Sequence, residues 1–160
     1  MAGSVLLLSV RPEYAAMIFA GTKGVELRKV RPQVTSGDTV MVYVTAPVKA
    51  LSGTVTVDRV VAGKPSFLWR LVRGSAGLSR QEFERYYAGV PTGYVIVFSE
   101  ARRLPSSVDL EALRSLWEGF QPPRTYAYLT ASELRAVRAL SGRGSAGRSS
   151  ISRRSRTLSP

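Results

Sequence analysis

Between Gly21 and Arg28 the chain reads Gly-Thr-Lys-Gly-Val-Glu-Leu-Arg, and four of those residues carry usable chemistry. Glycines at 21 and 24 allow a tight turn that brings the backbone close to a ligand. In the strand pattern that follows, period two places Glu26 and Arg28 on one face and turns Val25 and Leu27 toward a core. Lys23 leaves the turn beside that polar face. A carboxylate, an ammonium and a planar guanidinium are thus gathered by one short segment. Glu26 can accept from a base edge, while Arg28 and Lys23 can grip phosphate. If the protein is an enzyme, Lys23 and Glu26 are its candidate catalytic residues, as carriers of protons. The competing reading is a hairpin rim with solvated charges, and spacing alone does not separate the two.

Other residues extend the candidate set. Tyr43 and Thr45 share a strand face and Lys49 follows an Ala-Pro bend. Bordering the same cleft, Tyr43 would stack on a base and Lys49 would meet a phosphate; otherwise Tyr43 packs in the core. Arg11 precedes a helix start, where free backbone N–H groups attract anions. The expected nucleic-acid-binding residues are therefore Lys23, Glu26, Arg28, Arg11, Tyr43, Thr45 and Lys49. Trp69, Phe83, Tyr86 and Tyr87 fall at helical spacing and are expected to pack. Trp117 and Phe120 wall the cleft or cover an end of the barrel, and Arg124 and Arg102-Arg103 add basic surface.

The chain of 160 residues has no Cys and no His. Thiolate nucleophiles, zinc knuckles and imidazole acid–base catalysis are excluded, and no metal site or cofactor is expected. Lys and Arg number 23 against 11 acids, a net charge of +12. Five of the arginines lie in Ser141–Pro160 without an acid, which leaves Met1–Leu140 with 18 basic and 11 acidic residues. A basic body favours a polyanionic partner: RNA or a modified nucleotide, with DNA as the alternative. No apolar run is long enough for a membrane helix, no signal peptide is recognisable, and a cytoplasmic location is the expectation.

The elements that must position these groups follow from pattern. Val5–Val10 reads as a buried strand and Pro12 to Gly21 as a helix. Strands follow at Val25–Arg28, Thr39–Thr45, Leu51–Asp58 and Tyr94–Ser99, the third of these with Leu51, Val55 and Val57 on one face. Thr125–Leu129 looks like a last strand. Short helices lie around Phe67–Val72 and Leu110–Leu113, and capping boxes at Ser79/Glu82 and Thr130/Glu133 open two more. The fold class is α+β, a small β-barrel or curved sheet of about five strands with helices inserted. Residues 1–140 form the domain. The Arg/Ser/Gly-rich stretch 141–160 holds too little apolar surface to order itself and is expected to be a disordered tail.

The G-x-K-x-x-E-x-R pattern of Gly21, Lys23, Glu26 and Arg28 resembles the signature of the ASCH family, a branch of the PUA-like superfamily. Leu8-Ser9-Val10-Arg11-Pro12 before a helix, Gly37-Asp38 before a strand, Tyr43 to Lys49, Gly93-Tyr94 and Pro122-Pro123 stand in the family's order, over roughly Val5 to Leu129. The resemblance implies a PUA-like barrel whose cleft is lined by the signature strand and binds RNA or modified nucleotides. It also implies an alternative, a small hydrolase: some members are amidohydrolases on acylated cytidine, or are described as ribonucleases. The amidohydrolase set is a lysine, a threonine three positions later and a distant glutamate. Lys23 fits, but the position three later is Glu26.

Overall fold

The computed structural model describes residues 5–155, with side chains described as far as Arg143. Strand β1 (Val5–Val10) buries every residue except Ser9, which is half-buried. Helix α1 (Pro12–Ala20) begins at a proline and ends where Gly21 turns left-handed at φ 83°. There the amides of Gly21 and Thr22 donate back to the Ile18 and Met17 carbonyls. The chain continues through β2 (Val25–Arg28), β3 (Thr39–Val44), β4 (Ala50–Gly63), α2 (Pro65–Val72), α3 (Arg80–Tyr86), β5 (Gly93–Asp109), α4 (Leu110–Leu116), β6 (Tyr126–Leu129) and α5 (Ala131–Ser155). Both capping boxes form. Ser79 and Glu82 exchange bonds of 3.1 and 3.2 Å, and Thr130 and Glu133 two bonds of 3.0 Å.

The strands make one sheet in the order β2-β5-β4-β3-β1-β6. Only β1 and β3 run parallel; the other neighbours are antiparallel. Six strands are present where about five were expected, and the edges β2 and β6 do not pair. The sheet is a curled half-barrel. Its edges approach through side chains: the Arg28 guanidinium of β2 lies 4.1 Å from the centre of the Tyr126 ring of β6.

Three apolar clusters hold this curl. Inside it, Leu6, Leu8, Val40, Val42, Val55, Val57 and Ile96 meet Ala15 and Ile18 of α1. On the outer face Leu7, Met41, Leu51 and Val108 pack against Leu113 of α4 and Val137 of α5. Beneath β2, Val25, Leu27 and Val95 pack on Leu68 and Val72 of α2 and on Phe83 of α3. Strand β3 is thus sandwiched, with apolar cover on both faces.

One expectation needs correction here. Leu51 does not share a face with Val55 and Val57. The β3–β4 register shifts, pairing Val42 with Gly53 but Tyr43 with Leu51, so Ser52 is an extra residue that turns Leu51 to the outer cluster. Tyr43 lies in that same outer cluster, 3% exposed. Helix α5 continues past Ser141, where the expected tail begins. Ser141 is buried, accepting from the Ser106 amide at 3.0 Å and donating to the Ser106 carbonyl. The side chains of residues 144–160 lie outside the described ones. Among the described residues no helix is long and apolar enough to cross a membrane.

Candidate nucleic-acid-binding cleft

The gap between the edges of the sheet opens into a cleft of about 630 Å³. The free edge of β2 forms one wall, α3 the rim above it, and the end of β1 with the segment before β6 the opposite wall. Arg11, Lys23, Arg28, Arg85 and Arg124 line it, with the acids Glu26 and Glu82 and the rings of Tyr14 and Tyr86 between them.

Lys23 is placed by its backbone and its side chain together. Its amide donates to the Met17 carbonyl at 3.1 Å, and its ammonium donates to the Ala76 carbonyl at 2.7 Å. The next amide, Gly24, bonds Ser75, so the loop after α2 clamps the whole turn. Gly24 itself keeps an ordinary φ, and nothing stands within 4 Å of a Cβ there, so the turn needs a glycine only at 21. Burial pushes the Lys23 pKa down, and the nearby Glu26 opposes this.

Glu26 sits opposite Ile96 in the β2–β5 ladder and shares its face, so its carboxylate enters the inside of the curl above the inner cluster. Burial raises its pKa, with Lys23 and Arg28 pulling the other way. Among the described residues it has no ion-pair or hydrogen-bond partner, which leaves an acceptor facing the cleft. Arg28, two residues on, is held on Tyr126. Strand β2 is anchored at its free edge by α3: the Tyr86 hydroxyl donates to Leu27 at 3.0 Å, and Tyr87 donates to Tyr94 at 2.8 Å beside the Arg28 carbonyl.

Of the expected residues, Lys23, Glu26, Arg28 and Arg11 meet in this cleft and the rest do not. Tyr43 faces the outer cluster, because β3 is covered on both sides. Thr45 turns its amide onto Val10 and does not line the cleft. Lys49 lines a separate depression with Asp109 and Arg114. Sequence reasoning missed Arg85 and Tyr14, and it took Tyr86 as packing and Arg124 as plain surface. Helix α3 lies nearly sixty residues from the signature strand, and no local spacing reports that it returns to cover it.

A curled α+β half-barrel with a basic, tyrosine-lined cleft between its edges is the class of protein these observations define. A model of the ASCH domain matches residues 8–98, and the chain belongs to that family. It is 28% identical over 127 residues to an ASCH domain-containing ribonuclease of Zymomonas mobilis, covering 79% of this chain and 85% of the relative. The crystal structure of ASCH from Zymomonas mobilis matches with a TM-score of 0.79 at 26% identity, over 85% of this chain and 94% of that one. Human THYN1, solved in complex with 5-methylcytosine-containing DNA, shares the fold alone: its TM-score is 0.56 at 13% identity, over 86% of this chain and 97% of that one.

Proposed function

We propose that this protein is a cytoplasmic nucleic-acid-binding module of PUA-like architecture that takes RNA, or a modified nucleotide, into the cleft. The observation that carries this reading is the convergence of Lys23, Glu26 and Arg28 with Arg11, Arg85 and Arg124 around one concave surface. Five cations against the two carboxylates of Glu26 and Glu82 leave the partly enclosed site net positive, and it attracts phosphate because a low-dielectric wall weakens screening. Glu26 adds an acceptor for the amino edge of a base, and Tyr14 and Tyr86 offer ring faces. The test is anisotropy titration with single-stranded RNA over a range of salt. Lys23→Ala and Arg28→Ala should each weaken binding to every sequence, and unchanged affinity in both would remove the cleft from the reading.

A second reading is ribonuclease activity, favoured by the name of the Zymomonas mobilis relative. The threonine absent three positions after Lys23 matters to an amidohydrolase, which must supply a nucleophile. RNA brings its own. A ribose 2′ oxygen loses its proton and attacks the adjacent phosphorus, the bond to the 5′ oxygen breaks, and that oxygen takes up a proton. The strand ends as a 2′,3′-cyclic phosphate and a 5′ hydroxyl. Glu26 and Lys23 are the proton carriers for such a step, and Arg28 and Arg11 stabilise the charge that builds on phosphate. Incubation with RNA decides between the readings. Cleavage lost in both Lys23→Ala and Glu26→Ala supports the enzyme, and tight binding without product supports the module.

A further inference from the structure

Every lysine and arginine between positions 23 and 31 rests on a different tyrosine ring. Lys23 lies 5.5 Å from the centre of Tyr14, Arg28 4.1 Å from Tyr126, Lys29 4.8 Å from Tyr86 and Arg31 4.9 Å from Tyr94. None of these cations joins an ion pair among the described residues, where the pairs are Asp58–Arg59, Arg80–Glu84 and Glu100–Arg102. Tyr14 and Tyr86 lie in the cleft, but Tyr94, Tyr126, Lys29 and Arg31 lie beyond its lining. The four outside residues are contiguous with it. Tyr94 stands across the ladder from Arg28, Arg28 bridges to Tyr126, and the ring of Tyr128 is 5.7 Å from that of Tyr126 and half-exposed.

We infer that this strip of alternating tyrosines and cations carries a single strand of nucleic acid out of the cleft, across the end of β2. The inference rests on the proposed nucleic-acid reading of the cleft and adds the form and length of the ligand. Lys23 keeps its bond to the Ala76 carbonyl and meets phosphate in place, but each of Arg28, Lys29 and Arg31 gains only about 0.5–2 kcal/mol from its half-buried ring, so a phosphate draws it away. The ring it leaves is a platform for a base, and stacking on such a platform contributes about 1–3 kcal/mol. Each cation–tyrosine pair therefore matches one nucleotide, its phosphate to the cation and its base to the ring. A duplex offers no such fit, since its bases are already stacked on one another. The ligand that fits is an unpaired strand of about four nucleotides.

The experiment measures affinity for oligouridylates from about one to eight nucleotides long, with 2′-O-methyl groups so that no strand is cleaved through its own 2′ oxygen. Affinity should climb up to about four nucleotides and then level off. Tyr94→Leu and Arg31→Gln should each weaken the four-nucleotide strand about tenfold and leave the mononucleotide unchanged, while Tyr94→Phe, which keeps a ring, retains full affinity. Arg31 is exposed, so its variant reads the surface without disturbing the fold. Mononucleotide binding that does not strengthen with length, or a duplex that binds as well as the strand, would overturn the inference and leave the cleft reading intact. Failure of every probe, the mononucleotide included, would overturn both.

Discussion

Glu26 of β2 turns its side chain to the same face as Ile96, into the inside of the curl. Its carboxyl is half-buried in the cleft without a bonded partner among the described residues, and burial raises its pKa. Between the ordinary glutamate value and the raised one, the folded chain holds a proton that the unfolded chain has released. Stability therefore falls as pH rises through that window. Glu26→Gln should raise the melting temperature at about pH 8 and leave it unchanged at about pH 4; an equal rise at both would show that the charge is not what costs. The same substitution exchanges a pure acceptor for a group that also donates, so it should alter preference among nucleotides. Lys23 contributes with the opposite sign. Its lowered pKa leaves the unfolded chain with more bound proton on the alkaline side, where stability rises with pH. Arg28→Ala takes the guanidinium off the Tyr126 ring and, on the proposed reading of the cleft, should weaken binding evenly across sequences, with the salt slope reduced by about one.

At the scale of elements, the bulge at Ser52 and the helix beneath it are coupled through Gly53. A Cβ at Gly53 would overlap the Arg102 carbonyl of β5 and the ring edge of Phe19 on α1, and the carbonyl, being backbone of the paired strand, cannot swing aside. Gly53→Ala should destabilise by about 2 kcal/mol, read as a melting temperature lower by several degrees. Gly24→Ala is the matched control, with open space around its Cβ, and should change stability by no more than about 0.5 kcal/mol. A loss at position 24 as large as at 53 would mean that the turn before β2, not the bulge, is the sterically demanding point.

At the scale of the whole molecule, Ser141 ties α5 to Ser106 of β5 just ahead of a stretch rich in arginine. Ending the chain after Leu140 removes the hydroxyl that Ser141 places on Ser106, whereas ending it after Arg143 keeps that pair and removes four arginines with no acid. The shorter chain should lose about 1 kcal/mol or more of stability. The longer one should melt as the full chain does but bind RNA with a shallower salt dependence, in proportion to the phosphates the arginines neutralise. Equal melting temperatures for the two truncations would show that the buried Ser141 pair contributes nothing.

Local pattern was enough for most elements, because their causes are local. Alternation marked β2 and β4, Pro12 and Gly21 bracketed α1, and two capping boxes marked the starts of α3 and α5. The same locality made Glu26 and Arg28 readable as a same-face pair, since period two needs no partner strand. The tertiary structure decided everything that depends on what lies opposite. Leu51 changes face because a bulge inserts one residue against β3, and an unbroken alternation carries no sign of it. Tyr43 goes to the core because α4 and α5 cover the outer side of β3, a face that alternation alone leaves free to meet solvent or ligand. Arg85, Arg124 and Tyr86 join the cleft because the curl brings the β2 edge toward β6 while α3 folds over its rim. Residues about sixty or a hundred positions apart become neighbours only when burial closes those long loops, and a single strand's spacing holds no record of that closure.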